Sequence, residues 1–329
     1  MILAGDIGGT KVSLTFFEVD DGRLVARSTG TYPSREHSSL REIVRTFVTA
    51  HNLKVDYACF GVAGPIRNGQ VQLTNLPWVI NSDQLNGALG FKKVFLLNDL
   101  QANAYGIAGL AQSDLVELNR GSETDGRNIV IISAGTGLGE GCLFWDGHRH
   151  LAIPSEGGHG DFSPRTDLDL ELLRYLRGRY GQVSWEHVLS GPGFYRLYQF
   201  LRDTGRGEEP AWLAEEFLRT DPSAAITRAG LEDKCDLCAQ TLDLFVSYYG
   251  AEASNLTLKF LATGGVYVGG GIAPKMIRAL TKGAFMKAFI GEGRMKDLLA
   301  AMRVRVIMND KTALIGAARY AATQTGKMA

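Results

Sequence analysis

The sequence predicts an α/β protein with two domains, and three observations support this prediction. The chain has 329 residues, whereas one domain has about 150 residues on average. Short apolar strands alternate with helical segments along the chain. A strand, a turn of glycine and threonine and a second strand occur twice, around Asp6–Thr10 and Ser133–Gly137. This repetition indicates a duplicated α/β unit with a cleft between the copies; the alternative is coincidence, because such hairpins are common.

The composition argues against several classes of partner. Hydrophobic residues make up 45% and charged residues 21% of the chain, which is typical of a packed globular protein. Lysine plus arginine and aspartate plus glutamate balance at 35 each, so no net field attracts nucleic acid or anionic lipid. Residues 1–6 lack the charged region of a signal peptide, and no apolar run approaches the roughly 18 residues of a membrane span. We therefore expect a cytoplasmic protein without nucleic-acid or membrane partners.

The first third of the chain predicts a mixed sheet. Apolar segments separated by turn residues predict strands at Ile2–Ile7, Lys11–Val19, Leu24–Thr31, Val55–Ala63 and Lys93–Leu97. Helical patterns predict helices at Ser38–His51 and Asp99–Gly109. Hairpins combined with strand–helix alternation are typical of an α/β domain with a mixed sheet.

A second domain is expected after a hydrophilic segment at residues 120–127. Strands are predicted at Asn128–Ser133, Glu140–Trp145 and Val304–Met308, and a glycine-rich strand and turn at Gly264–Ile272. Asp167–Tyr249 is mostly helical, and an alanine-rich helix is predicted at Thr312–Thr323. The predicted domains are a small one of residues 1–110 plus 304–329 and a large one of residues 111–303 with a helical insertion.

The cysteines predict neither a metal centre nor a redox centre. They are Cys59, Cys142, Cys235 and Cys238, and only the last two form a C-x-x-C motif. That motif falls within a helical pattern at Leu231–Tyr249, whereas a zinc site needs a second pair and a redox motif needs a preceding strand. We expect buried thiols in a reducing compartment.

Two glycine turns are candidates for phosphate binding. Asp6-Ile-Gly-Gly-Thr10 and Ser133-Ala-Gly-Thr-Gly137 each place backbone N–H groups and a hydroxyl at a bend too tight for large side chains. The carboxylate of Asp6 is suited to hydrated Mg²⁺. Neither turn matches the P-loop motif or the dinucleotide-binding motif, and the alternative for each is a plain hairpin.

Asn98 and Asp99 stand where a predicted strand meets a predicted helix. One interpretation is that either side chain caps the first helical N–H groups. The other is a ligand site, because the carboxyl ends of strands in α/β proteins bind ligands and a carboxylate there can accept the proton of an attacking hydroxyl. The residues alone leave both interpretations open.

The segment Glu156-Gly-Gly-His159 combines a carboxylate, an imidazole and two glycines. A metal pair of the Glu-x-x-His type needs a helix, which the glycines disfavour, although His148 and His150 add imidazoles nearby. We interpret the segment as a rigid loop that presents both side chains to one polar ligand, with a plain surface loop as the alternative. Glu186 is by itself typical of an exposed helical glutamate.

Together these segments resemble the bacterial glucokinase family, within the sugar kinase/heat-shock ATPase/actin superfamily, in the family's order along nearly the whole chain. The similar segments are Gly5–Thr10 and Ser133–Gly137 (phosphate motifs), Gly264–Gly271 (adenosine motif), Leu97–Gly106 (catalytic segment), Glu156–His159 (sugar loop), Gly61–Pro65 and Leu73–Trp78. A related group of sugar kinases and repressors has a zinc-binding cysteine cluster after its Glu-x-x-His loop. Residues 160–165 contain no cysteine, so the resemblance is to the branch without zinc.

The resemblance implies a two-domain actin-like ATPase fold, related to ribonuclease H, with the active site in an inter-domain cleft. It implies a homodimer that converts glucose to glucose 6-phosphate with ATP, and Mg²⁺ held by the ATP phosphates and water. Asp99 would be the general base for the 6-hydroxyl. The sugar-binding residues would be Asn98, Asp99, Glu156, His159 and Glu186, of which Glu186 has the shortest match. The nucleotide-binding residues would be Gly5, Asp6, Ile7, Gly8, Gly9, Thr10, Gly135, Thr136, Gly137, Gly264 and Gly265.

Three other functions are compatible with the same fold. A kinase could act on mannose or fructose, or could use ADP or polyphosphate as the phosphoryl donor. A sugar sensor would bind without turnover, but a pure sensor has no need of a base such as Asp99. A heat-shock-type ATPase is not expected, because no peptide-binding module follows the last helix.

Overall fold

The computed structural model describes residues 1–73, 76–122 and 127–328, and within them the chain forms two compact units. The first unit contains residues 1–112, 152–154 and 309–329, and the second contains residues 113–151 and 155–308. Part of the hydrophilic segment predicted as a boundary, residues 123–126, lies outside the described residues. Among the described helices, none combines the length and apolar character that crossing a bilayer requires.

The strands, in chain order, are β1 (Ile2–Ile7), β2 (Lys11–Asp20), β3 (Arg23–Pro33), β4 (Tyr57–Val62), β5 (Gln70–Gln72), β6 (Val79–Asn81), β7 (Lys93–Asn98), β8 (Leu115–Asn119), β9 (Ile129–Ala134), β10 (Leu138–Trp145), β11 (His150–Ile153), β12 (Gly265–Gly269) and β13 (Val304–Ile307). Each strand predicted from the sequence is present close to its predicted bounds.

The α-helices are α1 (Leu40–Ala50), α2 (Ser82–Leu89), α3 (Asp99–Gly106), α4 (Asp167–Tyr180), α5 (Gly191–Asp203), α6 (Ala211–Phe217), α7 (Pro222–Leu231), α8 (Asp236–Phe260), α9 (Ile277–Leu280), α10 (Ala284–Ile290), α11 (Lys296–Ala300) and α12 (Thr312–Gln324). Short 3₁₀ turns include Gly157–His159 and Trp185–His187.

The first unit is built on a five-stranded sheet in the order β3-β2-β1-β4-β7. β1 pairs antiparallel with β2 and parallel with β4, and β4 pairs parallel with β7. Successive side chains of β1 point to opposite faces. Leu3 therefore packs in a core that includes residues of α1, whereas Ile2 packs in a second core that includes residues of α12. Helices cover both faces of this mixed sheet.

The second unit contains a six-stranded sheet in the order β11-β10-β9-β12-β13-β8. β9 pairs antiparallel with β10 and parallel with β12, as β1 pairs with β2 and β4 in the first unit. The shared pairing supports the duplication inferred from the two glycine turns. The long helix α8 packs its buried face into the core of this unit.

Two sequence predictions are corrected by the strand and helix bounds. The sequence assigned residues 304–308 to the small domain, but β13 pairs with β12 and β8 in the second sheet. The sequence also placed Cys235 and Cys238 inside one helical pattern at Leu231–Tyr249. The structure ends α7 at Leu231 and starts α8 at Asp236, because the connecting backbone adopts a left-handed conformation at Asp233 (φ 53°). Both thiols are buried and free, as expected.

Candidate active site

The carboxyl ends of three parallel strands bring polar residues into one row in the first unit. In the β1–β4 register Asp6 is opposite Gly61, and in the β4–β7 register Val62 is opposite Asn98. Asp99 follows directly as the first residue of α3. Because carboxyl ends of neighbouring parallel strands meet at one edge of a sheet, residues from separate segments become neighbours there.

The first glycine turn is a tight connection between β1 and β2. Gly8 donates its backbone N–H to the carbonyl of Lys11 at 3.0 Å, and the hydroxyl of Ser34 donates to the carbonyl of Gly8 at 2.8 Å. Ser34 is fully buried, so it fixes the turn from the side of the core. Thr10 is exposed. The turn therefore presents a hydroxyl and backbone to solvent from a fixed position, as the phosphate interpretation requires.

Asn98 is the N-cap of α3, so the capping interpretation is confirmed. Its Oδ1 accepts the backbone N–H of Leu100 at 2.9 Å, and Gln101 Oε1 accepts the N–H of Asn98 at 3.2 Å. Asn98 Nδ2 also donates to the carbonyl of Gly64 at 3.4 Å. These contacts fix the strand–helix joint that carries Asp99, whose Oδ1 accepts the same Leu100 N–H at 2.8 Å.

Asp6 and Asp99 influence each other electrostatically. Burial and, to a smaller extent, the negative charge of Asp99 raise the pKa of Asp6 to about 6, while Lys11 acts in the opposite direction. A bound cation would offset the cost of keeping two carboxylates together. The donor set at this position therefore fits hydrated Mg²⁺, which prefers carboxylate oxygens and water.

Helix α3 approaches its neighbours closely because glycines remove side chains at the contacts. A methyl group at Gly61 would lie 2.9 Å from Ala102 Cβ and 3.8 Å from Asp99 Cα. A methyl group at Gly316, on α12, would overlap the carbonyl oxygen of Ala102. The position of Asp99 is thus set by helix packing as well as by the cap.

The second glycine turn connects β9 and β10 in the second unit. Gly135 donates its N–H to the carbonyl of Gly137 at 2.8 Å and accepts the N–H of Gly191 at 2.8 Å. Glu186 Oε2 accepts the N–H of Leu138 at 2.9 Å. A sugar-binding candidate is therefore attached to the residue that directly follows the turn.

The loop at Glu156–His159 is a short 3₁₀ turn rather than an α-helix, as its glycines indicated. Glu156 Oε2 and His159 Nε2 lie 4.0 Å apart, and their side chains are 67% and 61% exposed. The carbonyl of Gly160 accepts the N–H of Trp185, which precedes Glu186, at 2.9 Å. Within the second unit, the three candidates Glu156, His159 and Glu186 are thus brought onto adjoining turns.

Glu186 does not lie on an exposed helix, in contrast to the prediction from its local sequence. It lies in the 3₁₀ turn Trp185–His187, where Trp185 is buried and packs edge-on against Phe162. The hydroxyl of Ser190 donates to the carbonyl of Glu186 at 2.7 Å. These contacts orient Glu186, and the packing of Trp185 against Phe162 joins segments that no local pattern brings together.

Gly264 and Gly265 lie where β12 begins. In the parallel β9–β12 register Gly265 is opposite Ile129, five residues before Ala134, which is roughly 16 Å from the glycine turn at 3.3 Å per residue. Gly270, at the other end of β12, is the glycine that meets the turn. It has a φ of 80°, and a methyl group there would overlap the carbonyl of Ala134. Within the segment Gly264–Gly271, Gly270 is therefore the glycine that approaches the second turn, and nucleotide binding by Gly264 and Gly265 stays a prediction.

One further motif of the resemblance is only partly described. Leu73–Trp78 includes Thr74 and Asn75, which lie outside the described residues. Leu73 and Trp78 are both buried, and the N–H of Leu73 donates to the carbonyl of Trp78 at 3.1 Å. The two ends of this motif therefore belong to the core of the first unit.

Two α/β units of shared topology, each with a glycine turn between two antiparallel strands, define a protein of the actin-like ATPase fold, the class that includes the sugar kinases. A family model described as Glucokinase matches residues 3–324. The glucokinase of Nostoc punctiforme (strain ATCC 29133 / PCC 73102) is 41% identical over 337 positions, covering 98% of this chain and 99% of the relative. The chain belongs to the glucokinase family, as its motifs predicted.

Solved structures agree with this assignment. A glucokinase from an Antarctic psychrotroph is 32% identical, with a TM-score of 0.87 over 98% of both chains. A glucokinase of the ROK family from Streptomyces griseus, solved with glucose and AMPPNP, has 20% identity and a TM-score of 0.65, covering 98% of this chain and 99% of that chain. The second likeness concerns the fold alone.

Proposed function

We propose that this chain transfers the γ-phosphoryl group of ATP to the 6-hydroxyl of glucose, with Asp99 as the general base. The observation that carries the proposal is the position of Asp99 at the carboxyl end of β7, next to Asp6 and on a capped helix. An alcohol is a weak nucleophile, and a carboxylate that accepts its proton during transfer contributes roughly 10²–10⁴-fold. Asp99 also orients the hydroxyl towards the phosphorus atom.

Sugar recognition is assigned to Asn98, Asp99, Glu156, His159 and Glu186. Sugar hydroxyls differ mainly in direction, so a site must pair each one with a fixed polar group. Carboxylates accept hydrogen bonds, and the asparagine amide and the imidazole both donate and accept them. A site of this kind can reject an analogue that lacks one hydroxyl by up to about 10⁴-fold, because its own polar groups are left unpaired.

We assign the binding of the ATP phosphates to the two glycine turns. Backbone N–H groups and the hydroxyls of Thr10 and Thr136 are suited to phosphate oxygens, and Gly270 lets the backbone pass close to the second turn. Mg²⁺, when bound with ATP, supplies positive charge that neutralises the developing charge on the phosphates. Asp6 would hold its water shell.

The test is a coupled ADP-release assay with ATP, Mg²⁺ and glucose, mannose, fructose or 6-deoxyglucose. We expect turnover with glucose and none with 6-deoxyglucose, which lacks the accepting hydroxyl. Preferred turnover of mannose or fructose would reassign the substrate. No sugar-dependent ADP release, with glucose binding clear by calorimetry, would instead support a sensor or another phosphoryl donor.

We also propose that the chain acts as a homodimer in the cytoplasm. This proposal is supported by the family resemblance. Sedimentation equilibrium at several protein concentrations tests the oligomeric state, and a monomer at all concentrations would reject it.

A further inference from the structure

Two glutamates of the second unit are buried together behind the loop Ser155–Gly160. Glu140 lies on β10 and Glu252 on α8, and the two residues are 1% and 0% exposed. Among the described residues, neither Glu140 Oε1 nor Glu252 Oε1 has a hydrogen-bond partner. A buried carboxylate oxygen without such a partner is costly, and two neighbouring carboxylates that are both charged repel each other, so the pair favours one shared proton.

The charges around the pair also favour a single proton. On α8, Asn255 Nδ2 donates to Glu252 Oε2 at 2.7 Å, and Lys259 Nζ lies 3.8 Å from Glu252 Oε1. Tyr249, the other titratable group of α8 near Glu140, donates its hydroxyl to the carbonyl of Gly269 at 3.0 Å. One ammonium group thus faces two carboxyl groups. The local charge is balanced when one carboxyl is protonated.

Glu140 has fewer neighbours that stabilise a negative charge than Glu252 has. Burial, reinforced by the charge of Glu252, raises the pKa of Glu140, and burial raises the pKa of Glu252 while Asn255 and Lys259 lower it. The protonated carboxyl of Glu140 can donate to the carboxylate of Glu252. A hydrogen bond between the two carboxyl groups removes the free-energy cost of leaving an oxygen of each without a partner.

Glu140 is in direct contact with the loop. A methyl group at Gly157 would overlap Glu140 Oε2, and a methyl group at Gly158 would overlap the carbonyl oxygen of Leu138. Leu138 and Glu140 are two residues apart on β10 and face the same side of the sheet. On the loop side, Glu140 faces the backbone of Gly157, whose N–H donates to the hydroxyl of Ser155 at 2.9 Å, whereas the side chains of Glu156 and His159 are mostly exposed. The loop therefore packs against Leu138 and Glu140 of β10, and the carboxyl group of Glu140 can ionise.

We propose that Glu140 and Glu252 share one proton and, in this form, act as positioning residues that hold the loop Ser155–Gly160 in its sugar-binding conformation. The inference depends on the proposed function, because it takes Glu156 and His159 as sugar ligands. Removal of the proton places two negative charges in one buried site, and their repulsion moves Glu140 against Gly157. The affinity for glucose then falls while the nucleotide site is less affected.

The experiment measures kcat and the KM values for glucose and ATP from about pH 7 to about pH 9.5. In the wild type we expect the KM for glucose to rise at least about tenfold at the alkaline end, and the KM for ATP to change less than about threefold. Glu140→Gln keeps the shape of the protonated acid and cannot ionise, so its KM for glucose should stay near the neutral wild-type value throughout. Glu215→Gln, at an exposed position of α6, is the matched control and should follow the wild type.

An infrared difference spectrum between the wild type and Glu140→Gln, recorded at neutral pH, provides a second measurement that does not depend on substrate. The C=O band of a protonated carboxyl should be present in the wild type and absent in Glu140→Gln. Three results would each overturn the proposal that Glu140 and Glu252 share a proton. They are an equal alkaline rise of the glucose KM in Glu140→Gln, a glucose KM that does not change with pH in the wild type, and the absence of the C=O band from the wild type. If instead Glu156→Gln leaves the KM for glucose unchanged, the sugar-site assignment itself fails, and the positioning role fails with it.

Discussion

Glu186 Oε2 accepts the backbone N–H of Leu138 at 2.9 Å, and this contact joins a sugar-binding candidate to the strand that follows the second glycine turn. Gly137, which precedes Leu138, has no room for a side chain, because a methyl group there would overlap Glu186 Oε2. The proposed phosphate turn and the proposed sugar ligand of this unit therefore hold each other in place.

We predict that Glu186→Gln weakens glucose binding about 10- to 100-fold while the protein stays folded. The amide oxygen can still accept the Leu138 N–H, so the local structure is kept. The lost charge weakens the hydrogen bonds to sugar hydroxyls, and bonds to charged groups contribute roughly 1.5–3 kcal/mol. Isothermal titration calorimetry with glucose measures the effect. Glu208→Gln, at an exposed position of the same unit, serves as the control, and equal affinities in the two variants would remove Glu186 from the site.

Asp99→Asn is expected to separate binding from chemistry. The variant should bind glucose within about tenfold of the wild type, because an amide can still contact the hydroxyl, but kcat should fall at least about 10²-fold without the base. Asp83→Asn changes an exposed aspartate in the first turn of another helix, α2, and should keep full activity. A kcat for Asp99→Asn equal to that of the wild type would exclude Asp99 as the base.

Gly316→Ala tests whether the packing of α3 against α12 positions Asp99. The added methyl group would overlap the carbonyl of Ala102, so the helices must move apart. We expect a loss of about 1–3 kcal/mol in the free energy of unfolding, together with a lower kcat. Gly87→Ala is the control, because Gly87 lies in α2 with open space around it and should become neutral or slightly more stable. A stable Gly316→Ala protein with unchanged kcat would show that the contact does not position Asp99.

Asp56 is expected to contribute to the free energy of unfolding at neutral pH, and this contribution should be lost in acid. Hydrogen bonds from the amino group of Met1, at 2.9 Å, and from Lys92 lower the pKa of Asp56 to about 2. A depressed pKa contributes stability above the ordinary value near 4, and this contribution disappears as pH falls towards 2. Asp56→Asn should therefore lose about 1 kcal/mol at neutral pH, because partial exposure screens the ion pairs. Urea unfolding should show the difference from the wild type vanishing near pH 2; a constant difference would contradict the assignment.

The local elements of this fold could be predicted from the sequence. The β1 segment is apolar and ends in Gly8-Gly9, so both its strand and the turn after it are determined by adjacent residues. Asn98 could be identified as a helix cap for the same reason, and the capping box in α3 confirms it. The motifs in their order were sufficient to predict the glucokinase family.

What the sequence by itself determined about this protein was therefore local: the strands, the glycine turns and the chemistry that individual segments can offer. Only the tertiary structure decided which ends of strands meet. It placed Gly270 beside the second turn, because the register of β12 depends on its partner β9. It also brought Glu140 and Glu252 together from β10 and α8. Such contacts are set by strand register and helix packing between distant segments, and no local pattern of residues encodes them.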